Sequence, residues 1–109
     1  TKVQAIEPPE TDKVYSTFGA SIDISSNGNT IAISSLHFNA NSQQSSTALI
    51  HIFERSTIWA LARSVSPSDI ALEDRFGIEI DLSGDASTLI SNGWSGTPRN
   101  NLGAVYVFN

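Results

Sequence analysis

Short segments in which apolar and polar residues alternate recur along this chain, each bounded by Gly, Asn, Asp or Ser, and they predict strands. The first clear run is Ala20-Ser21-Ile22-Asp23-Ile24-Ser25. It leads into Ser26-Asn27-Gly28-Asn29, a tight hairpin signal in which Asn-Gly supplies positive φ. Thr30-Ile31-Ala32-Ile33-Ser34 is the return strand, and after a polar stretch Leu49-Ile50-His51-Ile52-Phe53 is the next. Residues 54–57 turn the chain into a further strand over 58–65. The series then begins again: a strand from Phe76 to Leu82, a turn at Gly84-Asp85, a strand from Thr88 to Ser91, a loop, and a strand from Ala104 to Phe108. The opening residues 2–6 stand in the same position as the 59–65 strand.

The series is an internal duplication. Phe18-Gly19-Ala20-Ser21-Ile22-Asp23-Ile24-Ser25 reappears as Phe76-Gly77-Ile78-Glu79-Ile80-Asp81-Leu82-Ser83, an offset of 58. From Phe18 to Ile31, six of 14 positions are identical to their counterparts. Pro9 matches Pro67 at the same offset. Downstream, Ala48-Leu49-Ile50-His51-Ile52-Phe53 matches Gly103-Ala104-Val105-Tyr106-Val107-Phe108 at an offset of 55. The difference of three falls in a Ser/Asn/Gln-rich stretch, where loops absorb changes of length.

If the Phe-Gly strand is called A, its two successors B and C, and the Trp59 strand D, the chain reads D-ABC-D-ABC. The B and C strands carry little polarity on either face, the pattern of a sheet sandwiched between neighbouring sheets. The expected fold class is all-β: two four-stranded antiparallel blades of a β-propeller, forming one segment over 1–109 from repeats at about 1–58 and 59–109. The last C strand has no D after it and the first D has no C before it, as in a ring closed by a shared blade. Two blades do not close a ring, because propellers use about four to eight. Other copies of the chain, or adjoining propeller repeats, are therefore expected as partners.

At these residues the chain resembles FG-GAP repeats, the units of integrin-like β-propellers. Phe18-Gly19 and Phe76-Gly77 match the opening of such a unit, and Gly103-Ala104-Val105-Tyr106-Val107-Phe108 matches its close. Two features depart from the pattern. The Gly-Ala-Pro is replaced by Ser34-Ser35-Leu36 and Asn92-Gly93-Trp94. The calcium loop of the family is also altered: Ser25 and Ser83 stand at carboxylate positions, and Ile31 and Leu89 at the last ligand. Calcium takes six to eight oxygen ligands, so neither a bound metal nor another cofactor is expected. The resemblance implies a non-catalytic interaction or adhesion module, extracellular or on a particle surface. In the resembled fold the Phe-Gly strand lines the channel, which makes Asp23 and Asp81 channel-lining residues. The alternative for each is solvation or a hydrogen bond to the backbone of a neighbouring blade.

Composition narrows the classes further. The chain has 109 residues, enough for one ordinary domain. Only 16% of residues are charged; 17 Ser, eight Thr and eight Asn supply the polarity instead. Net charge is −5, which removes the electrostatic basis for nucleic-acid binding. No apolar run approaches the roughly 20 residues of a membrane helix, so membrane insertion is not expected. With no Cys, disulfides and thiolate chemistry are excluded. The Thr1 start and the absence of Met point to a mature fragment or an excerpt. Gly-x-Ser-x-Gly, Gly-rich phosphate loops and His-Glu-x-x-His are missing, and no base stands ready to activate Ser25 or Ser83, so the chain is read as no enzyme.

Strand alternation places the A–B and C–D turns at one end and the longer B–C and D–A loops at the other. Binding tends to reside on such loops. His37 lies in the first B–C loop, and Trp94, Arg99 and Asn100 lie in the second. Trp94 is a candidate stacking platform for a sugar or peptide, with Asn100 and Arg99 as hydrogen-bond donors. Its alternative role is packing over the end of the blade. Trp59 and His51 are read as structural. The expected function is binding of a glycan or protein partner through the long-loop face. The alternative is a structural building block of a filament, coat or virion, assembled by strand pairing between chains.

Overall fold

The computed structural model of the chain describes residues 4–9, 16–38, 45–66, 76–94 and 103–109. Seven strands are present among them: β1 (Ser16–Ile24), β2 (Thr30–Phe38), β3 (Ser45–Arg55), β4 (Trp59–Val65), β5 (Ile80–Leu82), β6 (Leu89–Trp94) and β7 (Gly103–Phe108). They form two antiparallel sheets, one ordered β1-β2-β3-β4 and the other β5-β6-β7. The all-β expectation holds, but two elements differ from it. The second sheet has three strands rather than four, and Gln4, Ala5 and Ile6 belong to no strand. Lys2 and Val3 lie outside the described residues. The side-chain amide of Gln4 takes the place of a ladder. It accepts from Trp59 N at 2.9 Å and donates to Trp59 O at 3.2 Å, tying this segment to the start of the outermost strand of the first sheet. The strand expected from Phe76 to Leu82 is confined to Ile80–Leu82, with Phe76 to Glu79 forming turns and bends.

The duplication in sequence is a duplication of hydrogen bonds. In the β1–β2 turn, Ser25 Oγ donates to Asn27 Oδ1 at 2.8 Å and accepts from Thr30 N at 3.1 Å. In the β5–β6 turn, Ser83 Oγ donates to Asp85 Oδ1 at 2.9 Å and accepts from Thr88 N at 3.0 Å. The left-handed position of each turn falls at Gly28 (φ 75°) and Ala86 (φ 63°). The Phe-Gly pairs are also alike: Gly19 and Gly77 have φ of 92° and 84°. That conformation is open to glycine at little cost. In β1 it coincides with a register shift between Phe18 and Ile22.

The core lies between the two sheets. Register places Ala32 beside Ile52, and these residues, with Ile50, turn toward the second sheet. Phe76, Leu82 and Leu89 meet them from the other side, with Ile80, Tyr106 and Phe108 partly buried around the cluster. Apolar area removed from water stabilises by about 25 cal/mol per Å², so this contact is the main attraction between the copies. Within the second sheet, a Cβ added at Gly93 would land on the Tyr106 ring. Gly93→Ala is therefore expected to destabilise the fold by about 1–3 kcal/mol, as overpacking does. Urea denaturation checks this, with the loss expected to shrink when Tyr106→Ala is added.

Candidate functional site

Hydrogen bonds join the short turns at one end of the molecule. Ser26 N donates to Gly84 O at 2.8 Å, linking the β1–β2 turn to the β5–β6 turn. Arg55 N donates to Asn29 O at 3.0 Å and its guanidinium to Asn29 Oδ1 at 3.0 Å, so the β3–β4 turn is held to the β1–β2 turn. The same guanidinium lies 5.3 Å from the Trp59 ring centroid, a cation–π contact that accounts for the half-buried indole. At the opposite end stand Phe38 and Ser45, paired across β2 and β3, and Trp94 and Gly103, paired across β6 and β7. Val65, the last residue of β4, pairs with Ile50 and points the chain the same way. The three longer connections thus leave from one end.

The predicted ligand-binding residues divide between described and other segments. His37 falls within β2, opposite Ser16, and Trp94 is the last residue of β6; both backbone positions are at the loop-bearing end. Arg99 and Asn100 lie outside the described residues. His51 is buried, with Nδ1 2.5 Å from Ser64 Oγ and its ring 6.1 Å from that of Phe18.

Asp23 reaches from the first sheet to the β5 edge of the second, where its carboxyl comes close to that of the exposed Asp81. Asp23 Oδ2 accepts from Leu82 N at 2.5 Å, and Oδ1 accepts from Ile24 N at 2.9 Å. Its neighbour Ser21 accepts from Ile80 N at 3.2 Å through Oγ. Partial burial pushes the Asp23 carboxyl up, but the bonded amides of Leu82 and Ile24, joined by the Asp81 carboxyl, outweigh it and hold Asp23 below the usual range. The hydrogen bond to Asp23 and then the repulsion of its charge hold the Asp81 carboxyl above that range. When the pair holds a single proton, these shifts place it on Asp81 and leave the charge on Asp23. The Asp23 contribution was legible from its repeated position, whereas Ser21 had no signal, since the second copy has Glu79 there.

In the β5–β6 turn, Asp85 accepts from Ser87 Oγ at 2.7 Å, Ser87 N at 3.0 Å and Ser83 Oγ, and these bonds hold its pKa at about 2. Its carboxylate is thus engaged within its own turn. Among the described residues no three His, Cys, Asp or Glu side chains come together as metal ligands. No helix among them is long and apolar enough to cross a membrane.

Comparison with known proteins bears on the same strands. Residues 59–108 match the family model of the FG-GAP repeat, from the first residue of β4 to the last of β7. No curated protein and no solved structure matches the chain. The match covers one D-ABC series, so its first strand completes the sheet of the preceding copy while its other three build the next. Repeats of this kind are typical of extracellular proteins and serve in general as adhesion or interaction modules without catalysis. Two sheets built from the same bonded turns, with the family pattern running through the second, identify residues 59–108 of this chain as an FG-GAP repeat.

Proposed function

We propose that the chain is a non-catalytic adhesion module, extracellular or on a particle surface, that binds a glycan or protein partner through its long-loop end. The observation that supports this reading is the polarity of the molecule. The short turns are bonded to one another at one end, while the β2–β3, β4–β5 and β6–β7 connections all leave from the other. A pair of packed sheets that presents several loops at one end is a common arrangement for recognition. Trp94 stands at the root of one connection and Arg99 and Asn100 within it. Trp and Arg are enriched among residues that dominate binding energy.

The test is a screen of the 109-residue chain against a glycan array and an array of extracellular protein domains, followed by titration of the best hit. Trp94→Ala and Arg99→Ala are each expected to weaken that hit by about 30-fold or more, the level of a hot-spot residue. Far-UV spectra are expected to stay as in the wild type. Unchanged affinity in both variants, or no hit on either array, overturns the reading.

A further inference from the structure

We infer that the two outward faces of this molecule are complementary to each other, and that a second copy of the chain docks on them head to tail, in the geometry that joins its own two sheets. This goes beyond the loop-end reading and involves none of its residues.

The warrant is the registration of the duplication on the interface. The face that the first sheet turns inward carries Asp23, Ala32, Ile50 and Ile52. Their counterparts in the second copy, at offsets of 58 and 55, are Asp81, Ile90, Val105 and Val107. Register places Asp81 beside Ile90 and Ile90 beside Val107, so they too share a face, the outer one of the second sheet. The apolar members are left in solvent, with Val105 69% and Val107 58% exposed. A hollow of about 350 Å³ lies there, lined in part by Asp81, Ile90 and Val105.

The complementary surface repeats in the same way. The second sheet meets the first through Phe76, Ile80, Leu82 and Leu89. Their counterparts are Phe18, Ile22, Ile24 and Ile31, on the outer face of the first sheet. Ile22 is 66% and Ile24 51% exposed. Even the aromatic packing is prepared. Phe18 stands 6.1 and 6.2 Å from the His51 and Phe53 rings, as Phe76 stands 5.5 and 5.9 Å from those of Tyr106 and Phe108. Phe76 is fully buried by the neighbouring sheet, whereas Phe18 is only half-buried.

The substitutions between copies preserve the fit. Ile90 is larger than Ala32, while Val105 and Val107 are smaller than Ile50 and Ile52, so the summed volume changes little. The polar link transfers as well. Asp23 accepts from Leu82 N, so Asp81 of one copy is positioned to accept from Ile24 N of the next. An interface between two different patches is heterologous, and it extends beyond a dimer unless rotation closes a ring. The exposed apolar faces are of the kind that marks an interaction site.

The test is mass measurement by sedimentation over a range of concentrations, with one variant blocked at each face. The wild type is expected to rise with concentration from 11.7 kDa to at least twice that mass. Val107→Arg and Ile24→Arg, each lacking one of the two faces that every contact requires, are expected to remain monomers alone and, mixed in equal amounts, to form a 1:1 complex through their two intact faces. The double variant is expected to remain a monomer. Both positions are exposed, so the variants are expected to keep the wild-type far-UV spectrum and melting temperature. A wild type that stays at 11.7 kDa at every concentration overturns the inference, and assigns the faces to other occupants such as an adjoining repeat. Full association by the double variant overturns it in favour of pairing along the β7 edge. Neither result touches the glycan or protein titration.

Discussion

Phe76→Ala is expected to lower the stability of the fold by about 3–5 kcal/mol, the cost of deleting a buried aromatic side chain. The ring is fully buried and packs edge-on against Tyr106 at 5.5 Å and an interplanar angle of 88°. It joins Leu82 and Leu89 in the cluster that receives Ala32, Ile50 and Ile52. The cavity would therefore open at the junction of the two sheets rather than within one. A domain of this size has a total stability of only about 5–15 kcal/mol, so the variant is expected to be largely unfolded at 37 °C or nearly so. Phe18→Ala removes the same ring from the same place in the first copy, but from a half-buried site. Its cost is expected to be about half as large, in proportion to the area buried. Urea midpoints of the two variants check this. Equal losses would show that the sheet-to-sheet contact does not carry the difference.

Asp23→Ala is expected to cost about 2–3 kcal/mol at neutral pH, because it removes a charge-assisted hydrogen bond and leaves the Leu82 N–H without its acceptor. The same link makes stability depend on pH in two opposed ways. Asp23 titrates below its ordinary value of 3.8, so its contribution is present above that value and is lost as pH falls through the depressed one. Asp81 titrates above 3.8, so its contribution is present below that value and is lost as pH rises through the raised one. The junction is expected to be tightest between the two, where Asp23 is ionised and Asp81 still holds its proton. Urea midpoints across this acid range are expected to show a maximum in the wild type. Asp81→Asn, a permanent donor, is expected to flatten the alkaline side, and Asp23→Ala, which removes the cause of both shifts, to flatten both sides. A wild-type profile without a maximum would mean that the two carboxyls do not share a proton.

The turns and the repeat were legible in the sequence because they rest on local chemistry. Asn27-Gly28 and the Ser/Thr pairs at 25 and 30, 83 and 88 carry their hydrogen bonds within five residues, and those bonds form wherever the chain reverses. The Phe-Gly pairs were legible because only glycine adopts their backbone conformation at little cost. The strands followed from alternation, which also separated the Asp23 face of β1 from the Ile22 face.

Other features depend on what a strand meets across space, which alternation does not encode. Residues 2–6 have the apolar pattern of a strand, yet Gln4 to Ile6 form none, because the Gln4 amide satisfies the Trp59 backbone in place of a ladder. Asp23 and Asp81 are the same residue at the same repeat position, and their sequence surroundings are nearly identical. One is held down and the other up, because only Asp23 has a following sheet whose Leu82 amide reaches it. Phe18 and Phe76 differ in burial for the same reason. The sequence alone determined the repeating unit, its turns and the two faces of each sheet. Only the tertiary structure decided which copy of each face is buried, because burial belongs to the contact between sheets and not to either sheet by itself.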